Sequence, residues 1–162
     1  IVLVGLRMGA TLALQVATSN TVDCTGLVLW EPALNGNEYL TQQHQFYRQA
    51  LFRYGIVPNE ANSSACGTMV NGVMLSDAML RQIHAIHLDG SQRPPDMPVL
   101  VIDSGSDPAI GAFARGLAAQ SPLVSSKEVE SFLVWTEDVD KGLVPQRIVS
   151  EIMTWLNETF PE

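Results

Sequence analysis

The string Gly5-Leu-Arg-Met-Gly9 constrains the fold of this chain more than any other feature of its sequence. It follows Ile1–Val4, a compact β-branched and aliphatic run that is typical of a fully buried parallel strand ending at Gly5. Arg7–Thr18 then predicts a helix. Because glycine has no side chain, the string allows a sharp strand-to-helix turn with closely packed backbones. One face of this helix is expected to carry Met8, Leu12, Ala13 and Val16.

The same strand–helix alternation recurs along the chain. Gly26–Trp30 and Pro98–Ile102 predict two more buried strands, and Lys127–Trp135 predicts a fourth. Helices are expected at 108–119 and at 145–160, the latter with Ile148, Ile152, Trp155 and Leu156 facing inward. Strands separated by helices imply an α/β fold with a parallel sheet and right-handed crossovers.

The middle of the chain has a different character. Residues 37–54 predict an amphipathic helix, 58–64 predict a loop, and Ser76 is placed to cap a helix that runs to about His87. We interpret residues 33–95 as a helical lid inserted into a core formed by 1–32 and 96–162.

Composition excludes several classes of function. A formal net charge of −8 disfavours nucleic acid and anionic membrane surfaces as partners. The apolar runs are too short for a membrane span, so we expect a cytoplasmic protein. Cys24 and Cys66 are expected to be free thiols, with a disulfide between them as the alternative.

A strand that ends in G-x-S-x-G and runs into a helix is the nucleophile elbow of serine hydrolysis. In this chain the nucleophile position holds Arg7, which is always protonated and offers no nucleophile. The alternative interpretation is an ordinary glycine-bounded turn. Asp107, which follows the strand at 98–102, occupies the place of a triad acid, although capping the helix at Pro108 would also explain it.

The histidine of such a triad is missing from its usual place after the last strand, where residues 135–142 contain none. The three histidines, His44, His84 and His87, all lie in the predicted insertion. Ser104 and Ser106 lie beside Asp107 in sequence, but no histidine is expected near them. The sequence therefore does not support Ser-His-Asp catalysis.

Gly5–Ala13, Gly26–Pro32 and Gly36-x-x-Tyr-Leu40 together resemble the exosortase A system-associated hydrolases of the α/β-hydrolase superfamily. Asn71–Ser76 and Trp135 extend the likeness, which covers nearly all of this chain but only the carboxyl-terminal part of the family's domain. The resemblance implies the last four strands of the hydrolase sheet, a helical lid, and an association with exopolysaccharide and exosortase systems.

Three functions are consistent with these residues. The first is a pseudoenzyme of hydrolase fold that binds a ligand or partner. The second is an esterase or thioesterase whose remaining catalytic parts lie in sequence upstream of Ile1, and the third is a gene fragment without function. No cofactor and no metal are expected.

The predicted binding residues are Arg7, Met8, Glu31 and Asp107, at the carboxyl ends of the strands, where ligands of such sheets bind. A buried guanidinium needs a partner. We therefore expect Asp107 or Glu31 to pair with Arg7, or an anionic small molecule to do so if neither does. The alternative is that Arg7 extends into solvent.

The strand Ile1–Val4 is apolar on both faces and has no charge or proline. If it forms an open sheet edge, it invites pairing with another chain. We expect it to pair in a homodimer, to aggregate, or to be covered by residues outside this sequence.

Overall fold

The computed structural model describes residues 1–19, 21–56, 68–70, 72–105, 107–131 and 144–161. The chain divides into two units by its internal contacts, one of Ile1–Leu34 with Leu88–Glu162 and one of Asn35–His87. The predicted insertion, residues 33–95, contains the second unit. Its role as a lid stays a prediction.

The described elements follow in chain order: β1 (Val2–Leu6), α1 (Met8–Thr18), β2 (Gly26–Trp30), α2 (Gly36–Arg53), β3 (Thr68–Val70), β4 (Val73–Leu75), α3 (Asp77–His84), β5 (Val99–Asp103), α4 (Pro108–Ala118), β6 (Val124–Glu128) and α5 (Gln146–Thr159).

The first unit is built on a parallel sheet with the strand order β1-β2-β5-β6. Apolar residues of α1 and α4 pack on one face of the sheet, and those of α5 pack on the other. Burial on both faces explains why β2 and β5 are almost wholly apolar. The predicted α/β class with a parallel sheet is confirmed. On α5, Ile148, Ile152 and Trp155 are buried as expected, and Leu156 is half-buried.

The predicted face of Met8, Leu12, Ala13 and Val16 is not the most buried face of α1, although Ala13 packs against the core. The buried residues are Ala10, Thr11, Leu14 and Ala17, whereas Leu12 is 50% exposed. The tight turn before the helix fixes its rotation about its axis and brings the backbone of Ala10 against Gly5. Residues three and four positions apart lie on one side of a helix, so fixing Ala10 against Gly5 also buries Leu14 and Ala17.

Two strand predictions also need correction. β1 continues past Val4 to Leu6, because its pairing with β2 extends through Gly5↔Leu29 and Leu6↔Trp30. The last described strand is Val124–Glu128, paired with β5 along its whole length, so it begins before the predicted Lys127–Trp135 and residues 129–131 lie outside it. Its sequence is largely polar because it lies at an edge of the described sheet with mostly exposed side chains, so hydropathy did not reveal it. Residues 132–135 lie outside the described part of the chain.

The second unit contains α2, the hairpin of β3 and β4, and α3. Ser76 caps α3 by accepting a hydrogen bond from the Met79 amide, as predicted. The helix ends at His84 rather than His87, which instead forms an isolated β-bridge with Asn35. The hairpin was not predicted, although Asn-Gly between two apolar runs is a strong hairpin signal. The predicted loop at 58–64 lies outside the described residues.

Three other predictions concern the edge strand β1, the cysteines and membrane-spanning helices. β1 forms one edge of the described sheet, with Val4 56% exposed. Its pairing with a second copy stays a prediction. Cys24 is buried and free, and Cys66 lies outside the described residues. None of the helices in the described ranges combines the length and the apolar character that crossing a membrane requires.

The close approach of α1 to β1 yields a stability prediction. A Cβ on Gly5 would lie 2.5 Å from backbone atoms of Gly9 and Ala10, whereas a Cβ on Gly9 would meet nothing within 4 Å. Gly5→Ala should therefore destabilise the protein by about 3 kcal/mol or more, since backbone atoms cannot move aside. Gly9→Ala, the matched control, should be neutral or stabilising by up to about 1 kcal/mol. Denaturant unfolding measures both, and equal effects of the two variants would contradict the packing described.

Candidate functional site

Two residues with left-handed backbone lie side by side at the carboxyl ends of β1 and β2. Arg7 has φ 54° and Glu31 has φ 48°, and they are the non-glycine residues with positive φ in the described ranges. The register pairs Leu6 with Trp30, so each is the next residue after a paired position. Such conformations are strained for residues with a side chain, and they cluster at functional sites.

The backbone of Arg7 holds this corner together. Its amide donates a hydrogen bond to the Trp30 carbonyl, 2.9 Å away. Its carbonyl accepts hydrogen bonds from the amides of Ala10 and Thr11 in α1 and from the amide of Ala33 after β2. The turn has the conformation expected of a nucleophile elbow: an apolar strand, one residue with positive φ, and a helix that begins at once. The residue that this turn presents is an arginine.

Thr11 reinforces the corner, and sequence reasoning missed it. Its side chain is fully buried, and its hydroxyl donates a hydrogen bond to the Ala33 carbonyl at 2.8 Å. This bond joins the first turns of α1 to the segment after β2. A threonine near the start of an otherwise apolar helix was the available signal, because a buried hydroxyl requires a partner.

Glu31 is fully buried, with 0% of its surface exposed. Its Oε1 accepts a hydrogen bond from the Ser104 amide, which ties the end of β2 to the residue that follows β5. Burial raises the pKa of the Glu31 carboxyl above its ordinary value, against the hydrogen bonds from Ser104 that lower it. The charge of Asp103 raises the pKa further, and the charge of Arg7 lowers it.

Ser104 completes the polar group on this side of the site. It is 7% exposed, and its Oγ has no hydrogen bond of normal geometry to any part of the chain that the structure describes. The hydroxyl nevertheless lies beside Glu31, where it lowers the pKa of that carboxyl. The sequence placed Ser104 next to Asp107, but its contact is with the carboxylate from the neighbouring strand.

The other predicted site residues occupy different positions. Met8 is the half-buried first residue of α1. Asp107 is exposed and caps α4 by accepting a hydrogen bond from the Ala109 amide at 2.9 Å. Glu31, the other carboxylate predicted to pair with Arg7, feels the charge of the arginine, which lowers its pKa. Binding by these residues stays a prediction.

The three histidines belong to the unit of residues 35–87 and not to the unit that contains Arg7. His84 has its Nδ1 2.5 Å from the Asn37 side-chain oxygen. Across the described ranges, histidine, cysteine and acidic side chains form no group of three that could hold a metal ion.

Comparison with known proteins supports the fold. No protein-family model and no curated protein matches this chain. The solved structure of an esterase from Pyrococcus furiosus is similar to it, with a TM-score of 0.58 and 15% sequence identity. The match covers 98% of this chain and 54% of the esterase chain, so the chain spans about half the length of that protein. It therefore has an esterase-like α/β fold.

The raised pKa of Glu31 predicts an unusual dependence of stability on pH. A carboxyl whose pKa is higher when folded stabilises the protein fully below its unfolded pKa, about 4.3. That stability is lost as pH rises through the higher folded value. Glu31→Gln keeps an oxygen for the Ser104 amide but cannot ionise. Its unfolding free energy should therefore rise relative to wild type between pH 5 and pH 8.

Denaturant unfolding at several pH values measures this difference. The exposed Glu130 provides the control, because Glu130→Gln should follow the wild-type profile. A constant offset between Glu31→Gln and wild type across the range would show that Glu31 does not titrate abnormally.

Proposed function

We propose that this chain is a hydrolase-fold protein that binds an anionic small molecule at the Arg7 turn and lacks Ser-His-Asp catalysis. One observation carries the proposal: the strained position that presents the nucleophile in a serine hydrolase holds a guanidinium. A guanidinium cannot attack a carbonyl, but it binds carboxylates and phosphates through directed hydrogen bonds.

The surroundings of Arg7 support an anion as the ligand. The first turn of a helix leaves amides without intrahelical acceptors and carries partial positive charge. The amides of Ala10 and Thr11 donate hydrogen bonds to the Arg7 carbonyl. The amides of Met8 and Gly9 are the two that come before them in the first turn. We infer that an anion contacts the Arg7 side chain and the Met8 amide, with Glu31 and Asp107 at the border of the site.

The resemblance to exosortase-associated hydrolases gives this binding protein a proposed setting, beside an exopolysaccharide or exosortase system. The motifs at Gly5–Ala13 and Gly26–Pro32 carry that part of the proposal. A second candidate function is ester or thioester hydrolysis with catalytic groups from beyond this sequence. It is favoured by the likeness to the Pyrococcus esterase, which is longer than this chain.

Reaction with a fluorophosphonate separates the two candidates. Neither the wild-type chain nor Arg7→Ser should form a covalent adduct, because the unit that contains position 7 has no histidine of its own to accept the serine proton. Intact-mass spectrometry detects an adduct, and a known serine esterase serves as the positive control. Rapid labelling of Arg7→Ser at position 7 would establish a working base and favour the hydrolase.

Binding itself is measured by titration with a small carboxylate. Arg7→Ala should weaken the affinity by about tenfold to a hundredfold, since a hydrogen bond to a charged group contributes roughly 1.5–3 kcal/mol. Arg93→Ala removes an exposed arginine from a loop and should leave the affinity unchanged. Equal losses in the two variants would reduce the effect to net charge and refute a site at Arg7.

A further inference from the structure

Glu31 poses an electrostatic problem for any anion that approaches Arg7. The backbone of Arg7 is hydrogen-bonded to two residues that flank Glu31 in the sequence, Trp30 and Ala33. The Glu31 carboxyl is held in turn by the Ser104 amide. An ionised Glu31 therefore offsets the charge of Arg7 and repels an anion at the same place.

The site disfavours that ionised state. Glu31 is fully buried, and a buried carboxylate loses its hydration. Asp103, at the end of β5, is a second acid whose charge acts on it. The hydrogen bonds from Ser104 act in the opposite direction and lower the pKa, but burial has the larger effect and the pKa of Glu31 is raised. An anion bound to Arg7 would add a further negative charge and shift Glu31 toward its protonated form.

We propose that the Arg7 turn binds a carboxylic acid, which sits as the carboxylate on Arg7 while its proton resides on Glu31. The proposal deepens the anion-binding function above and rests on it. In the exchange the O–H bond of the acid breaks and an O–H bond forms on Glu31. Binding a neutral acid in this way does not change the net charge of the site, so the ligand can bind at a buried position.

Two charged groups act on Glu31 among the described residues, and each has a defined effect. Arg7, between β1 and α1, lowers the pKa of Glu31, and Asp103 on β5 raises it. Anion binding should therefore be linked to uptake of one proton wherever Glu31 is ionised in the free protein. Asp103→Asn removes the charge that raises this pKa. It keeps a side-chain oxygen to accept the hydrogen bond that the Gly105 amide donates to Asp103 Oδ1.

Trifluoroacetate is the probe, because it stays ionised from pH 5 to pH 8 and any pH dependence belongs to the protein. Its binding is followed by fluorine NMR. The association constant for the wild-type chain should fall by about tenfold per pH unit above the pKa of Glu31. Glu31→Gln should bind with an affinity independent of pH. Asp103→Asn should begin its decline at a lower pH than wild type.

The outcomes separate this inference from the proposed function. If the wild-type chain binds no trifluoroacetate at pH 5, or if Arg7→Ala binds it equally well, the anion site at Arg7 is refuted. If binding requires Arg7 but is independent of pH, or if Glu31→Gln keeps the wild-type decline, the anion site stands and the role of Glu31 is overturned. Loss of the decline in Glu31→Gln, with Arg93→Ala matching wild type, supports the inference.

Discussion

The left-handed turn at Arg7 is the constraint on which the rest of the first unit depends. One peptide corner joins the end of β1 to the start of α1 and to the segment after β2, through the amide and carbonyl of the same residue. A strained residue of this kind costs about 1–3 kcal/mol and persists only where the surroundings determine it. Here the surroundings are hydrogen bonds from two elements and the contact of Gly5 with the backbone of Ala10.

The second strained residue extends the same logic across the sheet. Glu31 leaves β2 with positive φ, donates its amide to the Ile102 carbonyl of β5, and accepts the Ser104 amide on its side chain. With the hydrogen bond from the Arg7 amide to the Trp30 carbonyl, polar groups join three parallel strands at their carboxyl ends. Burial makes this carboxyl costly to ionise, whereas the hydrogen bonds from Ser104 favour its ionised form.

The sequence predicted best the strands that are buried on both faces. β2 was predicted with its observed ends because both of its faces are covered and hydropathy alone identifies such a strand. The prediction failed where tertiary contacts decide. The inward face of α1 follows from the turn before it and not from its own pattern, so Leu12 points outward while Thr11 is buried. β6 is polar because it is an edge, and its pairing with β5 defines it.

The candidate site shows the same division. Motif spacing placed Arg7 at the turn, and strand ends placed Glu31 and Asp107 near it, since the carboxyl ends of parallel strands meet at one edge. Spacing could not decide which acid the arginine affects. Asp107 is exposed and is used by its own helix as a cap. Glu31 is on the neighbouring strand and is buried, so the low-dielectric position belongs to it.

Strain and electrostatics coincide in this protein, and that coincidence makes the site inseparable from the fold. Arg7 and Glu31 are adjacent, one a base and the other an acid, and both have positive φ. A glycine at either position would relieve the backbone but remove a charge from its partner. The attraction between the two side chains is available only when both turns are formed, because only then do the strand ends bring them together. Local strain is therefore offset at the place where it arises, and folding of the corner assembles the charged site in the same step.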